Sequence, residues 1–198
     1  MAVGREGRRA TIRGVGKVYD TIDGRLREFI LAQPVFFVST APSGRDGHVN
    51  LSPKGVSGTF LVLDERRVAY LDFTGSGAET IAHLRDNGRI VVMFCAFAGP
   101  PKIVRLHGHG EAVLTGDPRF AELLAGFGEA PEQRGARAVI VVEVSRISDS
   151  CGYGVPLMSY AGDRDVLLEW TARRSDEALA DYQATRNATS LDGLPALS

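Results

Sequence analysis

The sequence predicts a mainly β fold, a small antiparallel barrel or sandwich with short helices at its periphery. Six or seven short segments are rich in β-branched and aromatic residues, which favour strands. Turn-forming residues separate these segments at short intervals, and the helical patterns between them are short. This spacing favours strands that meander back on one another over a parallel sheet with long crossovers.

The strands are predicted from residue types and from the turns that bound them. Segments 34–42 and 48–55 flank the turn "SGRDGH" and are predicted to pair as a hairpin. Segment 89–97, "RIVVMFCAF", is apolar throughout and predicts a strand buried on both faces. The other predicted strands are 59–64, 67–73, 102–114 and 138–147.

Helices are predicted where apolar residues recur at helical spacing or where capping residues occur. Asp20 or Thr21 is the predicted N-cap of the first helix, and Gly88 ends the second. Asp117 followed by Pro118 predicts the start of the third, with the aspartate as N-cap. The predicted helices are 22–30, 77–87, a segment beginning at Asp117, and two near 163–174 and 176–187.

The chain is predicted to contain one barrel domain with an appendage at each end. Residues 1–17 form an N-terminal arm and residues 18–150 the barrel. Residues 151–198 form a loop and helices that pack on the barrel or on a dimer partner. No composition shift suggests a linker inside the barrel.

Composition excludes several classes of protein. The net charge of −1 gives no basic field for nucleic acid, and no apolar run is long enough to cross a membrane. The arginines of the arm precede no apolar core, so the arm is not a secretory signal. Cys95 and Cys151 stand far apart and are predicted to be reduced thiols, which favours a cytoplasmic protein.

The stretch "DFTGSGAETIAHLRDNG", residues 72–88, has the form of an anion cradle, in which a strand ends in a glycine-rich turn that opens a helix. Ser76 and Glu79 have capping-box spacing, so Glu79 is predicted to bond the Ser76 N–H and not a ligand. The hydroxyls of Thr74, Ser76 and Thr80 remain at the same end for a ligand.

The order of these segments resembles the pyridoxamine 5′-phosphate oxidase-like family. The similarity is carried by "VNLSPKG", "YLDFTGSGAETIAHLRDNGRIVVMFCAF" and "KIVRLHGHG", and it covers about residues 30–147. It implies an FMN-binding split β-barrel, which is an antiparallel Greek-key barrel. It also implies a homodimer with the cofactor at the subunit interface.

The family's functional residues are only partly kept. The lysine of the strand over FMN corresponds to Lys54, and the threonine that touches the phosphate corresponds to Thr74 after Phe73. Glu79 and Thr80 stand where the family has an arginine and a lysine at the helix start, so both cations are lost. Oxidation of the vitamin is therefore not expected, since a carboxylate repels a phosphate.

The resulting hypothesis is an FMN-binding oxidoreductase that acts on a small molecule. Deazaflavin or haem is an alternative cofactor, and a cofactor-free binding or scaffold barrel is an alternative function. Neither a catalytic residue nor a metal ligand is assigned, and His107 with His109 are interpreted as a solvated or interface pair. The loop 149–160 is interpreted as a docking loop, with a lid that presents Tyr153 as the alternative. The candidate cofactor-binding residues are Asn50, Leu51, Ser52, Lys54, Phe73, Thr74, Ser76, Thr80, Arg105 and Tyr153.

Overall fold

A computed structural model describes residues 16–128 and 135–198. Residues 1–15 of the predicted arm lie outside the described residues. The described strands are β1 (Val18–Tyr19), β2 (Phe36–Thr40), β3 (Asn50–Lys54), β4 (Phe60–Val62), β5 (Arg67–Phe73), β6 (Arg89–Cys95), β7 (Ile103–Leu114) and β8 (Ala136–Ser150). The described helices are α1 (Gly24–Leu31), α2 (Glu79–Asn87), α3 (Phe120–Ala125), α4 (Val166–Ala172) and α5 (Asp176–Arg186).

The strands form a single antiparallel sheet in the order β3-β2-β6-β7-β8-β5-β4, with β1 paired to β8. Among the described residues, the two edge strands β3 and β4 form no ladder with each other, so the barrel is split. The predicted antiparallel split barrel is confirmed, and so is the β2–β3 hairpin, in which Val38 lies opposite Ser52. The short strand β1 was not predicted.

The core lies inside the curved sheet and centres on aromatic side chains. Phe36 packs edge-on against Phe60 with ring centroids 4.9 Å apart, and against Tyr70 at 5.4 Å. Phe94 packs edge-on against Phe60 at 5.1 Å. Such edge-to-face pairs add to the stabilisation that burial of the rings provides. They hold β2, β4, β5 and β6 together although these strands are not all neighbours.

Strand β6 differs from its prediction. Ile90, Val92 and Phe94 are buried, but the alternate residues Val91 and Met93 are only half-buried. The apolar run therefore has one face in the core and one face on the outer side of the sheet, as expected for period-2 alternation. An apolar sequence on both faces was mistaken for burial on both faces.

The structure confirms the predicted end of α2 but not the predicted start of α1. Gly88 ends α2 with φ of 70°, and a Cβ there would lie 1.9 Å from the His109 ring, so glycine is required. The N-cap of α1 is Asp23, which accepts from the Leu26 N–H at 2.8 Å, and not Asp20 or Thr21. Those two residues belong to the turn before the cap.

The third helix also begins later than predicted. Asp117 is not its N-cap, because α3 begins at Phe120 and the N-cap position is Arg119. Asp117 instead accepts from the Arg119 N–H at 2.8 Å and from its guanidinium. The bond to the Arg119 N–H stabilises the turn that leads into the short helix.

The C-terminal segment packs on the barrel. Ala196 is fully buried in the main core, and Leu194 and Leu197 pack against that core. Arg85 of α2 donates to the carbonyl oxygens of Ala196 and Ser198. The last residues are thus fixed next to α2, close to the turn that precedes it.

Candidate functional site

A trough of about 500 Å³ lies between β3, the end of β5 and the start of α2. One wall is polar because Asn50, Ser52 and Lys54 alternate along β3 and share a face. The far wall is the glycine-rich turn before α2, and Leu167 of α4 closes one side. The other residues that line this trough are Pro53, Gly55, Val56, Leu71, Asp72, Phe73, Thr74, Gly75, Ser76, Gly77, Glu79, Thr80 and Arg137.

A buried carboxylate at the base of the trough joins two cations. Asp72 is 1% exposed, and its Oδ1 lies 2.8 Å from Lys54 Nζ while its Oδ2 lies 2.8 Å from Arg137 Nε. Burial by itself raises the pKa of the Asp72 carboxyl. The charges of Lys54 and Arg137 and their hydrogen bonds outweigh burial and hold that pKa below its ordinary value. The cluster of Asp72, Lys54 and Arg137, called the triad below, therefore carries a net charge of +1.

Arg137 is a functional candidate that the sequence prediction missed. It lies in β8 and is 4% exposed; its Nη2 donates to the Gly77 carbonyl at 2.7 Å, and its Nη1 has no partner among the described residues. A charged residue inside the apolar run "ARAVIVVEV" was the available signal. Arginine is seldom buried without a paired group, so an arginine directly before the predicted strand 138–147 indicates a polar site.

The polar wall of the trough is a connected chain of hydrogen bonds. Ser52 Oγ donates to Asn50 Oδ1 at 3.0 Å, and Asn50 Nδ2 donates to Thr80 Oγ1 at 3.1 Å. The chain ties β3 to α2 and fixes the orientation of the Asn50 amide. Fixed amide and hydroxyl groups can orient a ligand without moving when it binds.

The turn before α2 binds the C-terminal segment of the same chain. Gln183 Nε2 donates to Thr74 Oγ1 at 2.8 Å, and Asn187 Nδ2 donates to the Gly75 carbonyl at 3.0 Å. Thr74 Oγ1 in turn donates to the Gly135 carbonyl at 3.0 Å. The Thr74 hydroxyl thus has partners within the protein already, so it is less available to a ligand than the sequence suggested.

The capping box predicted at Ser76 and Glu79 is wrong. The N-cap of α2 is Ala78, without a side-chain cap bond, and Glu79 Oε2 accepts from the Leu191 N–H at 3.0 Å. The carboxylate binds the C-terminal segment, a contact between residues 112 positions apart that local spacing cannot reveal. Glu79 nevertheless also lines the trough.

Seven of the ten predicted cofactor-binding residues line the trough, and three do not. Leu51 lies on the opposite face of β3 and is 64% exposed. Arg105 is on the outer side of β7, where its Nη1 donates to Ser150 Oγ at 3.0 Å. Tyr153 is 82% exposed in the loop after β8. Within one chain, these three side chains are not brought to the trough.

A second space, called the aromatic cavity, adjoins the trough and has a volume of about 680 Å³. Its apolar wall includes Val35, Val56, Leu167, Trp170 and Tyr182. Trp170 and Tyr182 pack edge-on at 5.1 Å between ring centroids. Val56 lines both spaces with φ of 74°, a backbone conformation that strains a β-branched residue. Such strain is typical of residues placed for function.

A family model described as pyridoxamine 5′-phosphate oxidase matches residues 22–151. The chain belongs to this family. The match begins before and ends slightly after the resemblance seen in the sequence, and it stops short of α4 and α5, which supply Leu167, Trp170 and Tyr182. The family model therefore covers most of the trough but not the C-terminal wall of the aromatic cavity.

The chain is also similar to individual proteins. It is 42% identical over 195 residues to the pyridoxamine 5′-phosphate oxidase family protein ustO of Aspergillus flavus, covering 90% of this chain and 77% of that protein. HupZ of Group A Streptococcus has 24% identity and a TM-score of 0.50, covering 64% of this chain and 91% of HupZ. An FMN-binding protein of Syntrophomonas wolfei has 17% identity and a TM-score of 0.47, covering 62% and 82%.

The described residues include no helix that is both long enough and apolar enough to span a membrane. They also contain no group of three or more histidine, cysteine, aspartate or glutamate residues arranged to hold a metal ion. His107 lies on the outer side of β7 opposite Val91, and burial together with the charges of Arg146 and Arg105 lowers its pKa.

Proposed function

We propose that this member of the pyridoxamine 5′-phosphate oxidase family is an oxidoreductase that binds FMN in the trough. The observation that carries the proposal is Lys54, whose side chain is 24% exposed at the trough wall and is fixed by the buried carboxylate of Asp72. A fixed cation beside a polar wall suits an anionic cofactor. The unpartnered Nη1 of Arg137 is a second donor that a phosphate could meet.

The residues of the trough would bind and orient the cofactor rather than react with it. Bound FMN supplies the hydride and electron transfer, and the protein supplies position and electrostatics. Asn50 and Ser52 present fixed polar groups on one wall. Leu167 of α4 provides apolar cover on one side of the trough.

Oxidation of pyridoxamine phosphate is not part of the proposal. The two family cations of the helix start are absent, and Glu79 occupies one of those positions. The aromatic cavity offers a different substrate site, with apolar and aromatic walls that suit a flat, weakly polar molecule. Trp170 is the only tryptophan of the chain, so quenching of its fluorescence reports a ligand in this cavity or in the adjoining trough.

A homodimer is part of the proposal. Val49 and Leu51 are 70% and 64% exposed at the β3 edge, and the half-buried apolar residues of β6 lie on the same outer side of the sheet, across β2. Arg105 and Tyr153, which lie outside the trough of their own chain, would then contact the cofactor of the partner copy. Sedimentation at micromolar concentration should give a dimer, and a monomer would contradict this part. The free thiols fit a reducing, cytoplasmic compartment.

The cofactor is tested by the colour of the purified protein and by titration. Bound flavin absorbs at about 450 nm, a property of the cofactor itself. Replacement of Lys54 by methionine should weaken FMN binding by about 1.5–3 kcal/mol, the range for a hydrogen bond to a charged group. The matched control is Lys102→Met, because Lys102 lies outside the trough against the rings of Tyr19 and Phe29.

Each other outcome points to a defined alternative. Equal loss in both variants, or no loss in Lys54→Met, contradicts the role of Lys54. A protein that binds no FMN but takes up a deazaflavin or haem supports a different cofactor. A protein that binds none of the three supports a cofactor-free binding barrel.

A further inference from the structure

We infer that Arg137 is the receptor for the phosphate, or an equivalent dianionic group, of the ligand in the trough. It would bind the phosphate in place of the two cations that are missing from the start of α2. This inference rests on the proposed function, because it names the group that holds the anionic end of the proposed cofactor.

The first support is an incomplete set of hydrogen bonds. Arg137 uses Nε on Asp72 and Nη2 on the Gly77 carbonyl, whereas Nη1 is buried with no partner among the described residues. A buried guanidinium N–H without an acceptor is costly, and native proteins rarely keep one. Arg137 lines the trough, so an anion oxygen bound there is the acceptor that we assign to this N–H.

The second support is the charge balance at the base of the trough. Asp72 carries one negative charge and contacts two positive groups, so the triad is short of one negative charge. Glu79 keeps its negative charge at the trough, but its Oε2 accepts from the Leu191 N–H, and among the described residues it forms no ion pair with Lys54 or Arg137. A buried excess of positive charge is stabilised by a counter-ion.

The third support is position. The bond from Nη2 to the carbonyl of Gly77 places the guanidinium next to the first turn of α2, which begins at Glu79. The positive end of the helix dipole lies at the same place. A cation supplied by β8 thus stands beside the positions of the lost pair, although it is about sixty residues away in sequence.

A competing site lies on the other side of Arg137. Arg137 also lines a cavity of about 500 Å³ beneath α5, together with Arg85, Leu114, Asp117 and Gln183. There, Arg85 is engaged by the carbonyl oxygens of the chain end, and Asp117 adds a negative charge. An anion is better placed in the trough, where Lys54 is the second cation.

The test compares FMN with riboflavin, which differ by the phosphate. The ratio of the riboflavin to the FMN dissociation constant is measured for wild type, Arg137→Gln, Arg137→Lys and the control Arg85→Gln. Arg137→Gln should lower this ratio by about tenfold or more, the size of one charge-assisted bond, because FMN loses more affinity than riboflavin. Arg137→Lys should keep the fold, because a lysine can still pair with Asp72, and should lower the ratio partly. Arg85→Gln should leave the ratio at the wild-type value.

The outcomes separate the inference from the proposed function. If both flavins bind and Arg137→Gln or Arg137→Lys keeps the full wild-type ratio, the inference is wrong while flavin binding stands. If Arg85→Gln lowers the ratio as much as Arg137→Gln, the anion lies in the other cavity and the inference is wrong. If wild type binds neither flavin, the proposed function fails, and inorganic phosphate becomes the probe. A thermal stabilisation by phosphate that is lost in Arg137→Gln then supports the receptor, and one that is retained refutes it.

Discussion

Replacement of Asp72 by asparagine should weaken the fold and strengthen anion binding at the same time. The asparagine keeps the shape of the side chain but removes the charge that Lys54 and Arg137 share. At an effective dielectric constant of about 20, each contact of 2.8 Å is worth about 6 kcal/mol of gross attraction. Most of this gross attraction offsets the desolvation of the three groups, so the expected net loss is that for breaking a buried pair, about 3–5 kcal/mol.

Most of this lost stability comes from the unpaired charge of Arg137, because its side chain is 5% exposed and cannot be hydrated. Lys54 is 24% exposed and can be hydrated. Urea unfolding at pH 7 measures the loss, with Asp64→Asn as the control. Asp64 pairs with Arg67 on the surface, where both side chains are well exposed, so this control should change stability far less. FMN should bind Asp72→Asn more tightly than wild type in the folded protein.

The pH dependence gives a second readout of the same variant. The pKa of Asp72 is lower in the folded state than in the unfolded state. The contribution of Asp72 to the free energy of unfolding is therefore present above its unfolded-state pKa of about 3.9 and is lost as the pH falls through its folded-state pKa. The difference in the free energy of unfolding between wild type and Asp72→Asn should therefore decrease in acid. The reasoning is refuted if Asp72→Asn is no less stable than Asp64→Asn at pH 7, or if the advantage of wild type is the same at every pH.

Three further predictions concern single side chains. Val56→Gly should raise the free energy of unfolding by up to about 1 kcal/mol, because relief of left-handed strain exceeds the added flexibility of the unfolded chain. The control Val49→Gly, at an exposed position, should not raise the free energy of unfolding. Urea unfolding measures both variants. Glu79→Gln should tighten FMN binding roughly two- to fivefold by removing a partly screened negative charge, and weaker FMN binding in this variant would contradict that expectation. Glu79→Ala should speed hydrogen exchange at the Leu191 N–H, because it removes the acceptor of that group. Burial and a bonded carboxylate raise the pKa of Tyr19 to about 12, so its stabilising contribution is present below about pH 10 and lost towards pH 12. An ultraviolet titration of wild type against Tyr19→Phe should show the missing ionisation near pH 12 and not near pH 10.

The strands and the β3 side of the trough could be predicted because their signals are local. Alternation of Asn50, Ser52 and Lys54 on one face follows from the period of a strand, and the structure places all three on one wall. The end of α2 at Gly88 was predictable for the same reason, since a left-handed C-terminal residue favours glycine. Residue type and spacing are sufficient for such features.

The parts that were missed depend on contacts between distant segments. Glu79 has the spacing of a capping residue, but a peptide N–H of Leu191 competes for its carboxylate. Arg137 reaches the trough only because β8 pairs with β5 and sets Ala136 opposite Phe73 and Ala138 opposite Asp72. Neither partner can be inferred from the residues that surround Glu79 or Arg137 in sequence.

The bonds between the C-terminal segment and the turn before α2 also set the order in which the molecule can be completed. They join residues 109 and 112 positions apart, so the turn leaves the ribosome long before Gln183, Asn187 and Leu191 do. At 5–20 residues per second, that interval is about 5–20 s. Until it ends, the carbonyl of Gly75 is exposed to water, because Asn187 has not yet been synthesised. All the barrel strands, which end at Ser150, are therefore synthesised before the residues that complete this side of the trough.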